Sequence, residues 1–381
     1  MARIILGSYM VRYPLGGMLS GPLQWLVGLA RLGHDVFLVE KSGYANSCYD
    51  PVQDAMSDDC AYGVATVNAL LARFDLHDKW CFAGAAGRYH GLSRQGITDV
   101  FKSADLFIDM GTHGSWLDEA AASGLRALID GEPGYTQMKM EKRLALGDTP
   151  ASYDYYYTVG CNIGTARSSA PSAGKQWRHV FHPVAVELFR TEPPNPGAAF
   201  TTVMNWQAHE PLEFEGRTYG QKDVEFARFM DLPTLVRATL EVAVSGRNVP
   251  VSKLRESGWQ LRDAHQVTMS VDSFTEYVRN SMGEFSVCKN VFTATNSGWF
   301  SERSAAYLAS GRPVVVQDTG LGGQLPSGAG LFTFRTVAEA AAAIDEVRAD
   351  YERHSKSARE VACEFLDAPR VLGKFLRELG I

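Results

Sequence analysis

Ser297-Gly298-Trp299-Phe300-Ser301 opens a short amphipathic stretch beginning Glu302-Arg303-Ser304, which ends at Gly311 ahead of Pro313. A turn leading into a helix presents free backbone N–H groups and a positive helix end, and together these hold an anion. Gly298 lets the backbone come close to a phosphate. Ser301 has the chemistry of an N-cap, and Arg303 and Ser304 add donors. An apolar strand, Val314–Val316, follows and stops at Gln317, Asp318 and Gly320. Late in a two-domain α/β chain, the anion expected at such a loop is the diphosphate of a nucleotide.

The elements that must position this loop are legible as alternating strands and helices. Arg3–Leu6 reads as a strand, Pro22–Leu32 as a helix closed by Gly33-His34, and Val36–Val39 as the next strand, which together form a βαβ opening. Leu106–Asp109 and Leu125–Asp130 each run into an acidic residue and then glycine, and Tyr155–Gly160 reads as a further strand. Such endings place polar residues at the carboxyl edge of a parallel sheet, where ligands bind. Glu192–Gly197 (EPPNPG) is the expected linker. A second α/β series begins at Phe200 and runs through Leu240–Gly246, a helix near Ser273–Met282, the anion loop, Leu331–Phe334 and an Ala-rich helix over Val337–Glu346. The expectation is an α/β chain of two Rossmann-like doubly wound domains facing a central cleft: residues 1–191, residues 198–360, and a terminal segment 361–381 that packs back on the first domain.

Bulk properties narrow the class. A chain of 381 residues with 45% apolar and 21% charged residues is globular and long enough for two cores. Its net charge of −6 argues against nucleic acid as a partner. No apolar run reaches the roughly 18 residues of a membrane span and no leader is recognisable at Met1, so a cytoplasmic protein is expected. Six scattered cysteines lack a C-x-x-C pair and nine histidines lack ligand spacing, so no metal is expected. Gly16, Gly17 and Gly21 do not match the dinucleotide fingerprint. Glu40 reads as a solvated strand end rather than a ribose-binding acid. There is no P-loop, and no G-x-S-x-G elbow.

With these motifs in place, the whole chain resembles the two-domain glycosyltransferases of the GT-B fold, in particular the retaining group-1 branch. Gly16-Gly17, Gly33-His34 and ASGRPVVV (Ala309–Val316) stand where that group has its opening Gly-Gly, its Gly-His and the end of its donor helix. The chain is also similar to a glycosyltransferase-like subgroup carrying SGWFSxRSxxYLASGRPVVxQDTG. Group-1 enzymes have two glutamates that contact the donor sugar and the ribose; the matching positions here are Gly298 and Ala306. Glu302, Arg303 and Asp318 are the candidate substitutes.

The resemblance implies a nucleotide-diphosphate sugar donor bound by Ser297, Gly298, Trp299, Phe300, Ser301, Ser304 and Asp318, and no required cofactor. It implies that Lys222 faces the diphosphate, with Lys289 as a weaker alternative and Arg217 standing in for a missing arginine. A lysine there stabilises charge that grows as the glycosidic bond breaks. His113 takes the place of a histidine that touches the donor sugar, and Arg303 joins Lys222 and His113 as catalytic candidates. The acceptor is expected at Gly16, Gly17, Asp130, Glu132 and Gln137, with Tyr135 beside them. The loop Gly7–Gly17 holds no Asp, Glu or His to serve as a base, which favours retention of configuration. A GT-B-type nucleotide-sugar epimerase and a non-catalytic sugar-nucleotide or glycan-binding protein are the alternatives.

Overall fold

The computed structural model describes residues 1–85, 87–193 and 197–381. Its first half builds an eight-stranded sheet from β1 (Arg3–Gly7), β2 (Asp35–Lys41), β5 (Trp80–Ala83), β6 (Tyr89–Gly91), β7 (Leu106–Asp109), β8 (Leu125–Asp130), β9 (Tyr155–Thr158) and β10 (Trp177–His179). A separate hairpin, β3 (Cys48–Asp50) and β4 (Ala55–Ser57), leaves the sheet after β2. The order is β10-β9-β8-β7-β1-β2-β5-β6, parallel throughout except for the β5–β6 pair. Both faces are covered. Ile4, Leu6, Leu38 and Ile108 enter one apolar cluster, while Ile5, Phe37, Val39 and Phe107 enter another. Continuous apolar runs such as RIIL are what a doubly covered parallel strand requires.

The second half builds a six-stranded, wholly parallel sheet from β11 (Phe200–Asn205), β14 (Leu240–Ser245), β15 (Gln260–Asp263), β16 (Gly283–Ser286), β17 (Val314–Gln317) and β18 (Leu331–Phe334), in the order β15-β14-β11-β16-β17-β18. The hairpin β12 (Leu212–Phe214) and β13 (Arg217–Tyr219) stands outside it. The strand order reverses at β1 in one sheet and at β11 in the other. The crevice beyond the carboxyl end of such a strand is the usual ligand site of an open α/β sheet.

The opening helix spans Gly16–Arg31 and so begins well before Pro22, which lies inside it. Tertiary contact explains the extension: Gly16 packs so closely on Ser270 of the second half that a Cβ would collide with the Ser270 carbonyl. The chain's last helix, Ala368–Leu379, returns to the first half. Its Phe375 ring sits 5.6 Å from Trp25, Gly28 admits Leu372 and Ala368, and Glu378 accepts the Tyr157 hydroxyl at 3.0 Å. Of the expected linker, Pro194–Pro196 lie outside the described residues; Glu192 is anchored through its carbonyl to Arg312 at 2.6 Å.

Candidate functional site

The carboxyl ends of β11 and β16 and the start of the helix Glu302–Ala309 bring three cations to one wall. Ser301 caps that helix by accepting from the Arg303 N–H at 3.1 Å. The Arg303 guanidinium then lies across the sheet edge, donating to Glu284 Oε1 at 2.6 Å, to the Val203 carbonyl at 3.0 Å and to the Ser286 hydroxyl. This engagement makes Arg303 a bracket between strand and helix rather than a free catalytic group. Lys222 begins the short helix Lys222–Phe226 and is only 7% exposed. Its amine has no hydrogen-bond or ion-pair partner among the described residues. Burial, with the nearby Arg303 charge, pushes its pKa down to about 7. The third cation, Lys289, is bound by Glu132 of the first half at 2.5 and 2.7 Å.

The loop before the helix does not present its backbone as expected. The Gly298 N–H donates to the Thr319 carbonyl at 2.7 Å, and the Ser297 N–H to Phe292 at 3.0 Å. The Ser297 and Gly298 carbonyls accept from the Asn162 and Cys161 N–H groups of the first half at 3.1 and 3.2 Å. Gly298 adopts φ +72 and presses on Cys161 so tightly that a Cβ would strike the sulfur. A glycine is required here by packing between the two halves, not by a phosphate. Asn162 completes the clamp, donating to the Asn296 and Gly320 carbonyls at 2.9 and 2.7 Å.

Phe300 is buried in the core and Trp299 packs on Phe292 at 4.7 Å, so neither stands free for a base or sugar. Asp318 is held by Arg335 at 2.7 Å and by the Gly320 N–H. The buried hydroxyls of Ser297 and Ser304 and one oxygen of Glu284 keep unused hydrogen-bonding capacity at this wall.

On the opposing wall Glu40 is not solvated. Its buried carboxylate accepts the N–H groups of Met10, Val11 and Arg12 at 2.8, 2.7 and 3.1 Å and fixes the loop after β1. Burial still raises its pKa to about 7. That loop delivers Tyr9, whose pKa rises to about 12 through burial and the charges of Glu302 and Glu132. Glu132 faces the cleft, whereas Asp130 and Gln137 do not. The Gln137 amide donates to Asp130 at 2.8 Å, Thr158 donates to Asp130 at 2.8 Å, and both side chains are buried, so they shape the turn after β8 rather than line an acceptor pocket. Gly16 is likewise occupied by its contact with Ser270, while Gly17 faces open space. His113 is exposed at φ +52 in a turn that Asp109 organises through the Thr112 and Gly114 N–H groups. Tyr135 stacks on His209 across the cleft at 5.9 Å. Arg217 stacks on Tyr219 at 5.1 Å.

The fold therefore gathers Lys222, Arg303, Lys289, Glu132 and Tyr9, and turns Asp130, Gln137 and Phe300 inward. Sequence reasoning overlooked Tyr9, Asn162, Glu284 and His182. His182 lies 3.6 Å from Glu302, partly buried and with its pKa lowered by desolvation. An asparagine two residues beyond Gly160 in the turn after β9 and an acidic residue inside the apolar β16 were the available signals.

No protein-family model matches the chain and no curated protein matches its sequence. Solved structures do. HepE from Anabaena, solved with UDP and glucose, aligns over 100% of both chains with a TM-score of 0.56 at 12% identity. An alpha-glucosyltransferase solved with UDP and a 13-mer DNA aligns over 100% of both chains with a TM-score of 0.60 at 10% identity.

The chain has the GT-B fold.

In GT-B terms the first sheet and the returning terminal helix form one half and the second sheet the other, with Lys222 on the second half near Lys289, which pairs with Glu132 of the first. The same comparison corrects the exclusion of nucleic acid: a protein of this fold is seen with DNA. Net charge is a sum over the whole surface and does not report the sign of the face that meets a partner. Among the described residues no helix is long and apolar enough to cross a membrane, and no group of three or more His, Cys, Asp or Glu side chains is placed to hold a metal.

Proposed function

We propose that the protein transfers a glycosyl group from a nucleoside-diphosphate sugar to an acceptor. The observation that carries this reading is Lys222, buried beside Arg303 at the edge of the second sheet with no direct hydrogen-bond or ion-pair partner among the described residues. An isolated buried cation is unfavourable unless an anion completes the site. The wall holds Lys222, Arg303 and Lys289 against Glu284 and Glu132, a local surplus of positive charge suited to a diphosphate. Bound there, the diphosphate meets Lys222 and competes with Glu132 for Lys289. Both lysines then stabilise the charge left when the sugar's C–O bond breaks, which is the part a metal ion plays elsewhere, so transfer is read as metal-independent.

The acceptor enters from the side of Tyr9, Gly17 and Glu132. Glu132 is neutralised by Lys289 and the loop after β1 offers no acid or base, which favours retention of anomeric configuration. UDP is the diphosphate to test first, since both similar structures were solved with it. Titration of UDP and UDP-glucose into the protein, followed by NMR of the sugar released by slow hydrolysis, tests the reading. Binding with α-glucose as first product supports it. β-Glucose removes the retaining part, and absence of binding by UDP, GDP and dTDP removes the donor site.

A further inference from the structure

A shallow cavity of about 490 Å³, wide open to solvent, lies where three parts of the chain meet. Strand β10 supplies Arg178 and His179, the returning terminal helix supplies Lys374 and Glu378, and the loops on either side of the inter-domain clamp supply Cys161 and Gln324. Its hydrogen-bonding capacity is lopsided. Glu378 already accepts the Tyr157 hydroxyl at 3.0 Å. The Arg178 guanidinium lies over the Tyr155 ring at 4.7 Å and gives one N–H to the Glu378 carbonyl at 3.2 Å. Lys374 stands 3.9 Å from Glu378 with its side chain 70% exposed. The His179 ring is wedged against Phe181 at 4.3 Å, and its Nε2 is buried without a partner. Burial, with the Lys374 charge, pushes the His179 pKa down to about 4, so the ring is neutral at pH 7. A guanidinium, an ammonium and the Gln324 amide thus face the cavity as donors, while the Cys161 thiol is given to Asn162 and one Glu378 oxygen to Tyr157.

We propose that this cavity is a second ligand site, taking a small polyvalent oxyanion, a carboxylate or a phosphate, and that its occupancy ties the two halves of the molecule together. The coupling is structural. Cys161 holds the Gly298 carbonyl through its N–H, and the neighbouring Asn162 holds Gly320 at the start of the loop that carries Gln324. A ligand spanning Arg178, Lys374 and Gln324 adds a tie across the same seam. This inference does not depend on glycosyl transfer.

Citrate and inorganic phosphate, titrated calorimetrically and by NMR of the His179 ring protons, test it. One of the anions should bind with Kd below about 1 mM and shift the His179 resonance, citrate alone marking a carboxylate site and phosphate alone a phosphate site. Lys374→Glu should weaken binding at least tenfold; its exposure keeps the fold safe, and the stacked Arg178→Gln serves as a second variant. Lys222→Met should leave this binding unchanged. Failure of both anions to bind overturns the proposal, as does binding that survives Lys374→Glu. Binding lost in Lys222→Met but kept in Lys374→Glu assigns the anion to the cleft and also overturns it.

Discussion

Replacing Lys222 with methionine should make the ligand-free protein more stable and leave it unable to hold a nucleoside diphosphate. The amine's pKa falls from 10.5 to about 7 on folding because the charged form is buried next to Arg303. At 1.36 kcal/mol per pH unit this disfavours the folded state by about 5 kcal/mol wherever both states would otherwise be protonated. Between pH 7 and 10.5 the unfolded chain binds more protons at this site than the folded one, so stability rises with pH across that window. The penalty is complete below pH 7 and absent above 10.5. Lys222→Met removes it, so the variant should melt several degrees above wild type at pH 6, and the difference should close towards pH 10.

Binding should move the other way. Truncating one partner of a buried charge pair costs about 2–4 kcal/mol, or roughly 30- to 1,000-fold in Kd. In the wild type, UDP affinity should also weaken about tenfold per pH unit above 7, because binding must then re-protonate the amine; the variant should lack this dependence. Calorimetry and thermal melts from pH 6 to 10 read both effects. A variant that melts below wild type at pH 6 and still binds UDP would show that Lys222 holds the fold and not the ligand.

Two further substitutions address the cleft. Gly298→Val should destabilise the protein by about 3 kcal/mol or more, through backbone strain at φ +72 and collision with Cys161; unchanged melting with only nucleotide binding lost would restore the phosphate-contact role read from the sequence. Glu132→Gln removes the ion pair to Lys289 and should tighten UDP binding by about two- to fivefold, in line with modest gains for partly exposed pairs; weaker binding would mean that Glu132 positions Lys289 for the ligand.

The sequence by itself determined the central strands of both sheets and their order, but not the hairpins β3–β4 and β12–β13 or the strands β5, β6, β10 and β15. RIIL and VVV are apolar on consecutive positions because their strands are covered on both faces, and Ser301 caps the helix through a contact two residues away. These are local matters of backbone geometry and hydrophobic period, which a sequence carries directly. Direction and company were decided only in three dimensions. Asp130 and Glu132 sit two residues apart after the same strand, yet one turns inward to Gln137 and Thr158 and the other reaches Lys289 across the cleft. Gly298 and Gly16 look like ligand-loop glycines, but each makes room for a segment far away in the chain. Among the described residues Lys222 lies unpaired beside an arginine that Glu284, Ser286 and Val203 hold in place. Burial and charge pairing depend on neighbours that distant segments supply, so the sequence showed where the cleft lies and the packing of the two sheets decided which side chains face it.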